Sequence, residues 1–153
     1  MAEQATLVAN LRDDKGSSSA RRLRIAGDIP GIMYDSGNEA TAISLNEHDF
    51  QAELRRHSSE NVMIDIEVGG KGMTKVLVKE VQHHPLNGKI LHVDLQSVSM
   101  TEKLRVSVAI ELEGEPVGVT KFGGVLEQLL REAEVECLPS DIPSVLIFDV
   151  SEL

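Results

Sequence analysis

The strongest constraint on the fold is a hydrophobic period of two. Val62, Ile64, Ile66 and Val68 alternate with other residues, Gly69-Gly70-Lys71-Gly72 follows, and Thr74 to Val81 resumes a β-forming run. That period sets one face of a strand against a core and the other in solvent, and a glycine-rich stretch between two such runs marks a hairpin. Further strands are expected at Thr6 to Arg12, where Leu7, Ala9 and Leu11 alternate, and at Ile29 to Tyr34. Beyond a turn at Ser36-Gly37-Asn38 comes Ala40 to Leu45, and after a break at Pro85 to Gly88 comes Lys89 to Val98. Two short helices interrupt the series. Ser19 is the expected cap of a helix through Ala20 to Ala26, stopped by Gly27. Asn46 caps the second, with Glu47 and Asp49 in its first turn, Arg55 and Arg56 in its last, and Phe50 and Leu54 on one face.

Residues 1–99 therefore form one expected domain of about six strands and two short helices. The character changes at Ser99 to Lys103. Leu104 to Leu112 alternates again, Gly114, Pro116 and Gly118 end it, and strand-like runs follow at Glu132 to Leu138 and Ser144 to Val150. Val125 to Arg131 is expected to make a helical turn or two, and Pro139 and Pro143 frame a turn. Residues 100–153 form a second, small, mainly β domain, of a size at which burial is marginal. Its last apparent strand stops close to Leu153, so an incomplete domain is the expectation.

Composition narrows the function classes. The lone cysteine, Cys137, makes no internal disulfide and no cysteine zinc cage, and Glu132, Glu134 and Glu136 around it disfavour a thiolate nucleophile. No apolar run reaches 18 residues, and Met1 to Asn10 has no basic stretch before an apolar one, so neither a membrane span nor a secretory signal is expected. The expected setting is the cytoplasm. The 153 residues hold 15 basic and 25 acidic side chains, net −10, which argues against a general polyanion binder. The balance is uneven, however. Residues 101–153 hold 4 basic and 11 acidic groups, net −7, whereas Arg12 to Arg24 hold five basic and two acidic, net +3.

That basic segment is the first candidate site. Arg12, Lys15, Arg21, Arg22 and Arg24 surround Gly16 and Ser17. Arginine forks bind phosphate bidentately, and a Gly/Ser stretch lets backbone approach an anion. The bland alternative is a solvated basic face. A second constellation is His83-His84-Pro85 with His92 and Asp94. Positions 92 and 94 share a strand face, and a turn at Pro85 would set His84 across from His92. Two histidines and a carboxylate suit a divalent metal, but no HExxH or second carboxylate at a fitting spacing supports one. Tyr34, the single tyrosine, is either a core ring or a stacking platform for RNA. No P-loop, dinucleotide fingerprint or nucleophile elbow is present, so neither an enzyme nor a small-molecule substrate is expected, and no cofactor is implied.

Several blocks in order carry a resemblance. Ala20-Arg21-Arg22-Leu23-Arg24 followed by Ile29-Pro30-Gly31-Ile32-Met33-Tyr34, and Val76-Leu77-Val78-Lys79-Glu80-Val81-Gln82 leading through His84-Pro85 to Leu91-His92-Val93-Asp94, resemble the signatures of the bacterial ribosomal protein L-twenty-five family. Gly123-Gly124-Val125-Leu126-Glu127, and Val135-Glu136-Cys137-Leu138-Pro139 before Asp141-Ile142-Pro143, resemble the second domain of its two-domain branch, which includes the general stress protein Ctc. The resemblance implies a β-rich α+β chain with an N-terminal six-stranded barrel-like domain. It also implies a structural role in the large ribosomal subunit, with 5S rRNA and neighbouring ribosomal proteins as partners. Position by position, it implies RNA contacts for Arg12, Lys15, Gly16, Ser17, Arg21, Arg22, Arg24, Tyr34, His84, His92 and Asp94. Asp94 would accept from a base amino group and so serve specificity. Three departures lower the positive charge: Ser17-Ser18-Ser19-Ala20 lacks the family's usual lysine, Asp13 and Asp14 occupy a stretch that is often partly basic, and His83 stands where arginine is usual. A second reading is therefore an acidic adaptor or stress protein with weakened RNA binding.

Overall fold

A computed structural model of the chain describes residues 6–35, 37, 39–57 and 61–153. The chain divides into two compact units, one from Met1–Ser58 with Val62–Glu102 and one from Ser59–Asn61 with Lys103–Leu153. Among the described residues no helix is long and apolar enough to cross a membrane.

The first unit is a closed barrel of six strands: β1 (Leu7–Leu11), β2 (Asp28–Tyr34), β3 (Ala40–Asn46), β4 (Met63–Val68), β5 (Met73–His83) and β6 (Ile90–Ser97). Around the barrel they run β1-β3-β2-β6-β5-β4, with parallel pairs at β2–β6 and β1–β4 and antiparallel pairs elsewhere. Closure leaves no unpaired edge, which explains how strands of five to eleven residues suffice. The alternating residues fill it. Leu7 and Ala9, Ile64, Ile66 and Val68, and Val93 and Leu95 are all buried, and Phe50 supplies the one large aromatic ring of the core. The β4–β5 hairpin turns on Gly69, Gly70 and Gly72, all at positive φ, and Lys71 N–H donates to Val68 O at 2.8 Å. Of the turn expected at Ser36-Gly37-Asn38, Ser36 and Asn38 lie outside the described residues.

Two helices flank the barrel. Helix α1 (Ser17–Ala26) begins two residues before the expected cap, so Ser19 lies inside it. Gly16, at a positive φ of 114° that favours glycine, starts the helix without a side-chain cap, and Ala20 N–H closes the first turn on Gly16 O at 3.1 Å. Gly27 ends it in the left-handed conformation, as expected. Helix α2 (Glu47–Arg56) is capped by Asn46, whose Oδ1 accepts from the amides of His48 and Asp49 at 3.1 and 3.3 Å. Asn46→Ala is expected to cost about 1 kcal/mol, read as a lower denaturant midpoint with unchanged slope. Glu53 of α2 is buried, which the sequence pattern did not suggest, and its Oε1 accepts from Arg56 Nη1 at 2.7 Å.

The second unit is a three-stranded sheet ordered β8-β7-β9: β7 (Leu104–Glu113) between antiparallel β8 (Glu132–Cys137) and parallel β9 (Val145–Asp149). Leu104, Val106 and Val108 are buried, while Arg105 and Ser107 between them are exposed. The helical turn expected at Val125 to Arg131 is not there. That stretch runs without regular structure, tied to β7 by Ile110 N–H on Arg131 O at 2.8 Å and by Gln128 Nε2 on Ile110 O at 3.1 Å. The helical turn forms earlier, as α3 (Val117–Thr120), directly after Pro116. At the end of β9 the Ser151 hydroxyl and amide both donate to Asp149 Oδ1, which holds that carboxyl below its usual range.

Candidate nucleic-acid interface

Alternation assigns the barrel's outer face. Val93 and Leu95 are buried, so His92 and Asp94 of β6 point outward, and Met33 packs against the core, so Ile32 and Tyr34 of β2 do too. The parallel β2–β6 register sets Ile32 beside Asp94 and Gly31 beside Val93. Over this face lies a cleft of about 530 Å³. Arg12, Lys15 and Gly16, from the connection between β1 and α1, form one wall with Ala20 and Arg24 of α1. Pro30, Gly31, Ile32, Ala40 and Ala42 of β2 and β3 add small or apolar surface, and Gln82, Leu91 and His92 of β5 and β6 close the far side.

The electrostatics are one-sided. Three cationic side chains line the cleft, and no carboxylate is among the described residues lining it, on a chain of net charge −10. Arg24 Nε is shielded from solvent without an acceptor among the described residues. A buried donor left without an acceptor carries a desolvation cost that an incoming anionic oxygen would relieve. Arg12 Nη2 donates to the Asp14 carbonyl at 3.0 Å, which anchors the connection and leaves the rest of the guanidinium fork free to bind elsewhere.

The structure brings together Arg12, Lys15, Gly16, Arg24 and His92 of the expected set. Ser17 opens α1, exposed and outside the cleft lining. Arg21 is exposed on the flank of the cleft-facing side of α1, whereas helical spacing turns Arg22 to the opposite side. Tyr34 and Asp94 share the outer face without lining the cleft. His84 does not face His92: the partner of His92 on β5 is Gln82, and His84 lies at the turn, one residue past the pair His83–Ile90. Instead His84 closes the β5–β6 turn, its amide donating to Lys89 O at 2.7 Å and its Nδ1 accepting from Leu86 N–H at 3.2 Å. His84 is therefore not brought to His92 and Asp94, and among the described residues no group of three or more His, Cys, Asp or Glu is placed to hold an ion. Sequence reasoning missed Ala40, Ala42 and Gln82. The two alanines, small and two apart on β3, were the only local signal of a surface left open.

Comparison with known proteins extends these observations. Residues 7–95 match the model of the Ribosomal L25p family, and residues 103–153 match that of the ribosomal protein TL5 C-terminal domain. A protein of Carboxydothermus hydrogenoformans named large ribosomal subunit protein bL25 is 42% identical over 147 residues, covering 96% of this chain and 72% of that protein. Proteins of the same name from Moorella thermoacetica and Treponema denticola are 40% and 39% identical, each over 151 residues. They cover 97% and 99% of this chain and 72% and 70% of their own lengths.

Proposed function

This chain belongs to the Ribosomal L25p family, and from that premise we propose that it is a non-catalytic structural component of the large ribosomal subunit that binds 5S rRNA. The observation that carries the RNA reading is the cleft with three cations and no carboxylate on an otherwise acidic chain. An overall negative charge suppresses loose binding to any RNA, while one shaped positive site supports a selective partner. The shallow minor groove of an RNA helix can reach such a surface, since its major groove is too deep and narrow for side chains. In this reading residues 1–99 are the RNA-binding domain and residues 100–153 an acidic domain that faces a partner other than phosphate. The protein works where ribosomes do, in the cytoplasm.

A gel-shift titration with 5S rRNA against tRNA tests the proposal. Tighter binding to 5S rRNA is expected, and equal binding to both would refute selective recognition. Comigration with large subunits in a sucrose gradient at moderate salt separates this role from that of an adaptor that has lost RNA binding. Arg21, on the flank of the cleft-facing side of α1, is expected to make one phosphate contact. Arg21→Ala should therefore flatten the log–log salt dependence by about 0.7 to 0.9. An unchanged slope removes Arg21 from the contact set.

A further inference from the structure

The sheet of the acidic second unit has two edges, and they differ. β8 forms one of them. Its exposed side chains are Glu132, Glu134 and Glu136, while Ala133, Val135 and Cys137 between them are half-buried. Charges repeated along a strand blunt it against further pairing. β9 forms the other edge, and among the described residues no strand pairs with its outer side. Its sequence, Val145-Leu146-Ile147-Phe148-Asp149, contains neither proline nor lysine. Ile147 and Phe148 are 62% and 52% exposed, one on each face of the strand. Val150 N–H donates to Glu113 O of β7 at 2.9 Å. Amides alternate in direction along a strand, so those of Leu146 and Phe148 also turn toward β7. Those of Val145, Ile147 and Asp149 turn to the open side. An open edge that carries apolar side chains is a template for one more strand.

The two faces of the sheet set what that strand must carry. The registers place Glu111, Glu113, Glu132, Glu134, Glu136 and Asp149 on one face. The three strands add a single cation there, Arg105, whose Nε lies 3.3 Å from Glu136 Oε2. The other face is apolar beside the edge, with Leu146 paired to Ile110 and Phe148 to Leu112. We propose that the β9 edge binds an extended basic segment of another protein, in which lysine or arginine alternates with apolar residues. The stem of a lysine lies on Ile147 and carries its ammonium toward Glu111, two strand spacings or about 10 Å away. The residues between the lysines cover Phe148. A second copy of this unit would bring another net −7 against the same face, so like charge disfavours it as the occupant. The inference rests on the reading of residues 100–153 as facing a partner other than phosphate, and not on RNA binding by the barrel.

The test uses the full chain and a short labelled peptide that alternates lysine with valine. Fluorescence anisotropy should show saturable binding. Binding should weaken at least about tenfold when glutamate replaces the lysines, and likewise when the same residues are scrambled out of alternation. Amide hydrogen exchange at Ile147 and Asp149 should slow about tenfold or more in the complex. Ile147→Pro removes an outward N–H and leaves the β7 ladder its bonds, so it should weaken binding about tenfold. Glu111→Lys with Glu113→Lys, both at exposed positions, should transfer the preference to the glutamate peptide. Equal binding of the three peptides, or unchanged exchange at Ile147 and Asp149, overturns the proposal. Sedimentation that shows a dimer abolished by Ile147→Pro assigns the edge to a second copy and overturns it as well. A chain that binds 5S rRNA but not the lysine peptide refutes this inference alone. A chain that binds the lysine peptide but not 5S rRNA upholds it and refutes the RNA reading.

Discussion

Replacing Arg12, Lys15 and Arg24 together by alanine is expected to weaken binding to 5S rRNA by about two to three orders of magnitude near 0.1 M salt. The same change should flatten the log–log salt dependence by about 2 to 2.7, the share of three phosphate contacts. The two effects have one cause. Each cation bound to a phosphate releases a condensed counterion, so removing it lowers affinity most where salt is dilute. Arg24 is expected to contribute more than Lys15. Its Nε is already stripped of water without an acceptor among the described residues, so the desolvation cost falls on the free protein, while Lys15 is exposed. The substitutions lie at the surface of the barrel and outside its core cluster, so the melting temperature should stay close to that of the wild type. A lowered affinity with an unchanged salt slope would mean that the cleft acts through shape and not through phosphate contacts.

The way this cleft is built shows what could be read ahead of the structure. The helix ends and the inward faces of the barrel strands were legible because their signals are local. Gly27 after an apolar-basic run stops α1, and Asn46 before Glu47 and Asp49 caps α2. Alternation along Met63–Val68 fixes which side chains turn inward, since a slip of one residue would expose the whole set. The far side was not legible. Which residue faces His92 depends on where the β5–β6 turn begins and on the register shift between Gln82 and His83, and residue counting has access to neither. Ala40 and Ala42 enter the cleft because β3 lies between β1 and β2, a non-sequential order set by barrel closure. In the second unit, Val125 to Arg131 has enough apolar and charged residues for a helical turn. Its hydrogen bonds go to β7 instead, a tertiary pairing that overrides local propensity.

Gly31→Ala is the substitution by which stability and recognition should fail together. Gly31 sits in β2 between Ile43 of β3 and Val93 of β6, and it lines the cleft. A Cβ added there would lie 2.8 Å from Val93 O, a backbone atom of the parallel β2–β6 ladder, with Ile43 Cγ1 at 3.6 Å behind it. A flexible side chain could swing aside, but the Val93 carbonyl can yield only by displacing the strand. A loss of about 2 to 3 kcal/mol is expected, near the upper end for overpacking because the obstacle is main chain. It would appear as a fall of roughly 10 °C or more in the melting of the barrel. Val93 stands between His92 and Asp94, so whatever shifts its carbonyl also shifts the two side chains of the outer face. Affinity for 5S rRNA should therefore drop below 20 °C, where the variant is still folded. Gly37→Ala serves as the comparison, since a Cβ there meets nothing within 4 Å, and it should change stability by no more than about 0.5 kcal/mol. A Gly31→Ala protein that melts with the wild type would show that the strands can part at no cost, and the glycine would then have no role in closing the barrel beneath its binding face.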